Sequence, residues 1–182
     1  MNIIKKSLNN SNFRIWLALV GTATLIIGGA YTMVQQSTRQ AANDAPIARA
    51  QQVKQLLESG VSPADAVPSQ KIDLKENINV FVIVTGKNQQ VLASSAQLDG
   101  KTPLPPTGVF RYALLHGSDT LTWQPAADVR IASHAETYKD GFIITGQSLD
   151  PFEERVGIYD LLALAAWLAV LIWASLVLLF PL

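Results

Sequence analysis

The stretch from Gly141 to Leu182, "GFIITGQSLDPFEERVGIYDLLALAAWLAVLIWASLVLLFPL", decides how the chain is organised. Gly141 to Leu149 reads as a strand, rich in β-branched side chains. Asp150 then offers a cap oxygen, Pro151 takes the first helical position, and acids fill the first turn. Nothing interrupts the helix afterwards, and the 22 residues from Leu161 to Leu182 carry no charge. Roughly 20 apolar residues cross about 30 Å of hydrocarbon as a helix. A folded element therefore runs directly into a membrane crossing, and any message must leave through the helices themselves.

A second apolar block, "IWLALVGTATLIIGGAYTMVQQST" (Ile15 to Thr38), lies between Arg14 and Arg39 without a charge, and its apolar part, Ile15 to Val34, has 20 residues. Trp16 and Tyr31 in this block, and Tyr159 and Phe180 around the other, fit the interfacial positions that bulky rings favour. A cleaved signal peptide would have an apolar core of about 7 to 15 residues and a small-x-small site after it, neither of which is found here. The block is read as an uncleaved anchor. Lys5, Lys6 and Arg14 precede the first crossing, whereas Asp150, Glu153, Glu154 and Asp160 precede the second. By the positive-inside rule, residues 1–14 and the C-terminus are cytoplasmic. Crossings at 15–38 and 161–182 then flank an extracytoplasmic segment, 39–160, in the plasma (cytoplasmic) membrane.

Formal charge is zero overall, but beyond the first 14 residues 11 basic side chains face 14 acidic ones. That balance argues against a nucleic-acid partner, which would need a basic face. The absence of cysteine excludes disulfides and thiolate chemistry.

Between the crossings the composition is that of a soluble domain. "NDAPIARAQQVKQLLESG" predicts a helix of about four turns, started at Asn43 or Asp44 with Pro46 in its first turn and ended at Gly60. "VSPADAVPSQ" predicts a short second helix from Ser62 and Pro63 to Pro68. Asn77 to Thr85 and "QVLASSA" predict two antiparallel strands joined by a turn in which Gly86 and Asn88 supply the backbone freedom. "QLDGKTPLPPTG" is a loop, and Val109 to His116 a helix ending at Gly117. Three strands follow, Thr120 to Gln124, Asp128 to Tyr138 and Gly141 to Leu149, with Asp140-Gly141 as the hairpin signal. The predicted class is α+β, a five-stranded antiparallel sheet with helices on one side, between two membrane helices.

"FVIVTGKNQQVLASSAQLDG" resembles the opening strand pair of extracytoplasmic PAS-like or Cache-like sensor domains of bacterial sensor histidine kinases. "GFIITGQSLDPFEERVGIYDLLALAAWLAVLIW" is similar to the end of the same modules, where the last strand leads through an acid-rich helix into the membrane. The resemblance covers roughly residues 13 to 182 and implies a sensing fold on a membrane hairpin. Members of that group continue into a dimerisation helix with a phosphoacceptor histidine and an ATP-binding domain. Neither part occurs in these residues, and His116 and His134 lie outside the membrane by the orientation above. Kinase activity is not implied.

Catalytic constellations are not found. "GQSLD" at Gly146 lacks the second glycine of a nucleophile elbow, so Ser148 reads as a turn residue. His116 and Asp119 are too few for a metal site, and His134 reads as a half-exposed strand residue. No cofactor is expected and the chain is not read as an enzyme. Arg111, Tyr112, Trp123 and Arg130 are the candidate ligand set, able to rim a cleft for a carboxylate or other small anion. The alternative places Trp123 and Tyr112 in the core and the arginines in water. Gly21, Gly28, Gly29 and Ala30 in the first crossing, and Ala163, Ala166 and Ala169 in the second, form small-residue stripes. They would pack the two crossings together, or seat a membrane partner or a second copy. The expected function is a two-pass sensor-like protein that binds or regulates a membrane partner; the alternative is a structural accessory subunit of a larger membrane complex.

Overall fold

The run Phe81–Gly86 shows no apolar-polar alternation, and every residue of it is buried. In the computed structural model, which describes residues 11–179, Phe81 and Ile83 enter one core while Val82 and Val84 enter another. Continuous apolar runs of this kind belong to strands covered on both faces. Lys5, Lys6 and Phe180, used above for orientation and interface, lie outside the described residues.

The elements run α1 (Ser11–Glu58), α2 (Pro63–Ala66), β1 (Ile72–Asp73), β2 (Phe81–Gly86), β3 (Val91–Ser94), β4 (Ala96–Gln97), α3 (Thr107–His116), β5 (Ser118–Ala126), β6 (Val129–Tyr138), β7 (Gly141–Ser148) and α4 (Asp150–Leu179). Five strands form one antiparallel sheet in the order β3-β2-β7-β6-β5, and β1 pairs with β4 in a separate two-stranded parallel sheet. The architecture is thus α+β with a five-stranded antiparallel sheet and a long apolar helix at each end. Contacts divide the described chain into two units, the apolar stretches of α1 and α4 forming one and Arg39–Glu153 the other.

The expectation of helices on one side is corrected: Val109, Phe110 and Ala113 of α3 pack on the face that carries Phe81, Ile83 and Ile144, whereas Ala50 and Val53 of α1 and Ala66 of α2 pack on the face that carries Val82, Val84 and Ile143. Phe110 meets Phe142 edge to face, with centroids 5.2 Å apart and planes at 83°.

A second correction concerns the helix expected to start at Asn43. No break occurs there; α1 is one helix of 48 residues with Pro46 inside it. One turn differs as well. At the β2–β3 hairpin the left-handed residue is Gln89, with φ 64°, rather than Gly86 or Asn88. At the β6–β7 hairpin the expected limits hold: Tyr138 pairs with Gly141, Lys139 and Asp140 form the turn, and Gly141 is the first strand residue. Gly141 is needed for a different reason: a Cβ there would sit 2.0 Å from the Thr85 carbonyl oxygen. Strand β2 starts at Phe81 instead of Asn77, because the Asn77 side chain accepts the Asn79 N–H at 2.9 Å and holds a local turn. Helix α4 starts at Asp150, and the Leu149 carbonyl accepts the Phe152 and Glu153 N–H groups, so Leu149 occupies the cap position given above to Asp150.

Both α1 and α4 contain windows long and apolar enough to cross a membrane. Those windows are 0% buried in α1 and 6% buried in α4, which separates them from the covered core helices of a soluble protein.

Candidate functional site

Proline inside a helix removes one N–H and frees the carbonyl four residues earlier. For Pro46 that carbonyl belongs to Ala42. It does not go unpaired, because the Gln147 amide donates to Ala42 O from Nε2 at 2.9 Å. Thr145 Oγ1, on the same face of β7, donates to the Pro46 carbonyl at 2.8 Å. Ala42, Pro46, Ala50 and Val53 are all buried along this side of α1. Two side chains of β7 thus hold the proline turn of α1, and β7 itself runs through Leu149 into α4.

A second tie joins α1 to β6. Lys54 Nζ lies 2.9 Å from Glu136 Oε1. The other carboxylate oxygen, Oε2, is buried with no hydrogen-bond partner and lies 3.8 Å from His134 Nε2. His134 Nδ1 is hydrogen-bonded to Thr120 Oγ1 at 2.8 Å, and the ring is 5% exposed rather than the half-exposed strand residue expected. Burial pushes the imidazole below its usual pKa, opposed by the charges of Glu136 and Asp119. Arg130 of β6 pairs with Glu153 in the first turn of α4. Strands β6 and β7 therefore grip the proline segment of α1 and the start of α4.

The four candidate ligand residues are not brought together. Trp123 is 7% exposed and belongs to the α3-side core, opposite Ile131. Arg111 and Tyr112 lie on the exposed surface of α3, where the Tyr112 ring stacks on His116 with centroids 4.0 Å apart. Arg130 alternates with Val129 and Ile131, which point to the α3 side, so it lies on the opposite face of the sheet. His116 Nδ1 is bonded to the Tyr112 carbonyl at 3.0 Å. Ser148 Oγ accepts the Asp150 N–H at 3.2 Å, and Gly146 leaves the space that Phe81 and Ile131 fill. Among the described residues no three His, Asp or Glu side chains gather as a metal site requires.

The apolar stretches of α1 and α4 are tied by hydrogen bonds that were not expected, one of them from Trp16, expected only as an interfacial ring. Trp16 Nε1 donates to Ser175 Oγ at 3.1 Å, and Trp167 Nε1 donates to Thr24 Oγ1 at 2.8 Å. The signal was present: a hydroxyl or indole within an apolar run needs a partner where water is absent. Of the small-residue positions, Gly28 and Ala163 line an open groove of about 330 Å³ with Thr24, Tyr31, Asp160 and Trp167. Gly21, Gly29, Ala30, Ala166 and Ala169 are exposed, and a Cβ at either of those two glycines would meet nothing within 4 Å.

No family model, curated protein or solved structure matches the chain.

Proposed function

We propose that this chain is a two-pass protein of the cytoplasmic membrane, with both ends cytoplasmic and the middle domain outside, and that its PAS-like domain binds or regulates a membrane partner through its helices. One observation carries the reading. The clamp of Thr145 and Gln147 on the proline turn of α1 lies on the strand that continues into α4. A tilt of β7 then moves the bases of both crossings, which is what an outer domain needs in order to act on a neighbour in the bilayer. The unburied apolar windows and the sign of the flanking charges support the membrane placement.

The natural absence of cysteine makes a direct test of orientation available. With Lys101→Cys in the exposed loop, a membrane-impermeant maleimide should label intact cells; labelling seen only after lysis would overturn the arrangement. For function, the intact protein is purified in mild detergent with its partner at near-equal amount. Thr145→Val with Gln147→Leu should then change the partner's activity while its amount stays the same.

The second reading, a fixed accessory subunit, is favoured by the dispersal of Arg111, Tyr112, Trp123 and Arg130, which leaves no cleft among them. Under that reading the double variant leaves activity per complex unchanged, and deletion lowers the amount of the complex.

A further inference from the structure

We infer that the groove lined by Thr24, Gly28, Tyr31, Asp160, Ala163 and Trp167 seats one helix of a membrane partner that carries a lysine or arginine near its outer end. This rests on the membrane reading above and names the chemistry of the partner.

The groove is almost wholly apolar, and Asp160 is the sole charged residue in its lining. Asp160 is exposed and lines the groove beside Tyr31, whose hydroxyl receives Gln35 Nε2. Among the described residues it enters no ion pair, although Lys54, Lys75 and Arg130 all pair with carboxylates elsewhere. Asp160 directly precedes the second crossing, so a basic side chain near the outer end of a neighbouring helix would lie level with it. The adjoining wall is built for close approach: Gly28 has open space where a Cβ would stand, and Ala163 lies beside it. Small residues let two helix backbones draw near enough for a side chain to reach across. An uncharged helix would meet the glycine and leave the acid unmatched, whereas an acidic one would be repelled. A basic helix matches both walls. Trp167 donates to Thr24, so two of the lining side chains already hold each other.

The test uses the full chain in phosphatidylcholine vesicles and a synthetic helix of leucine and alanine, ended with uncharged asparagines and bearing one lysine near one end. Energy transfer between labels on the two reports association. The lysine peptide should bind about fivefold or more tighter than its glutamine counterpart, a difference that Asp160→Asn abolishes and Asp160→Glu keeps. Gly28→Leu should weaken binding, and Gly21→Leu, facing open space, should not; helical circular dichroism confirms that each variant is folded. Equal binding of the two peptides, or a preference that survives Asp160→Asn, overturns the inference. So does self-association of the chain that depends on Gly28 and Asp160 without a lysine preference, which would give the groove to a second copy. Quenching of Trp167 by brominated lipid that the peptide does not relieve would give it to lipid and likewise overturn it. The Lys101→Cys labelling is independent of all these outcomes. Outside labelling with no lysine preference removes the groove and leaves the two-pass reading standing.

Discussion

Replacing Gln147 with leucine tests the clamp on Pro46 where its energetics are most exposed. The Ala42 carbonyl has no helical donor and belongs to a residue that is 0% exposed. Removing its donor costs about 1 to 3 kcal/mol, the penalty for a buried polar group left unpaired. Gln147 is half-buried, so water reaches one side and the lower half of that range applies. For a domain of this size each kcal/mol moves Tm by about 4 °C. A drop of roughly 4 to 8 °C is expected for Gln147→Leu, measured on the full chain in detergent by the fluorescence of buried Trp123 with the remaining tryptophans changed to phenylalanine. The decisive comparison is the double-mutant cycle with Pro46→Ala. Alanine at 46 restores an N–H that bonds Ala42 O within the helix, so Gln147→Leu in that background should cost less than about 0.5 kcal/mol. Equal costs in the two backgrounds would refute the reasoning, because Gln147 would then act through something other than the proline's freed carbonyl.

Gly146→Val should destabilise by about 1 to 3 kcal/mol or prevent folding, since even a Cβ there would stand 2.7 Å from both Phe81 and Ile131; the same thermal melt checks it. His134 is held below its usual pKa by burial, so the unfolded chain takes the proton more readily. Stability is then present above about pH 6.5 and lost as pH falls through the folded pKa, and His134→Gln should flatten that slope in melts taken from pH 7.5 to 4.5. Trp167→Phe removes the indole donor to Thr24 and should loosen the helix pair by about 0.6 to 1.7 kcal/mol, the range for hydrogen bonds between membrane helices. Reduced disulfide formation between cysteines placed at Ile27 and Ala163, which line the same groove and leave Thr24 in place, would register it.

Most of the sheet was legible because its strands carry strong local signals. Val129–Tyr138 and Gly141–Ser148 are rich in β-branched residues and joined by a short polar turn, and both appear within a residue or two of the expected limits. The continuous helix was not legible for a reason located at Pro46. Proline at that position reads as a helix start, because sequence shows the lost N–H but not the donor that makes up for it. That donor, Gln147, is about a hundred residues away, and only the fold brings it near. Strands β1 and β4, of two residues each, are too short for any periodicity to show. The candidate ligand set failed on a matter of facing. A helix over the sheet would let Arg111 and Arg130 rim one cleft, but the alternation of β6 sends Arg130 to the face opposite α3.

The position of β7 in the sheet limits how any signal can travel. It lies between β2 and β6 and is paired with both, from Phe81↔Gly146 to Gly86↔Gly141 on one side and from Ile131↔Ser148 to Tyr138↔Gly141 on the other. A slip by one residue would break both ladders and turn Thr145 and Gln147 away from α1. Sliding of this strand is therefore excluded as a working motion. Under the proposed regulation of a partner, the motions left are tilting of the whole sheet and bending where β7 ends, at Leu149, whose N–H is held by the Arg130 carbonyl at 2.9 Å. The two differ in consequence. A tilt carries α1 and α4 together, because the Pro46 clamp and Leu149 belong to the same strand, whereas a bend at Leu149 moves α4 against a stationary α1. Arg130 serves both its backbone bond to Leu149 and its side-chain pair with Glu153 in α4. Arg130→Met keeps the backbone bond and removes the ion pair, so it frees the bend while leaving the tilt intact. If the proposed regulation of a partner survives that substitution but not the loss of Gln147, the tilt and not the bend carries it.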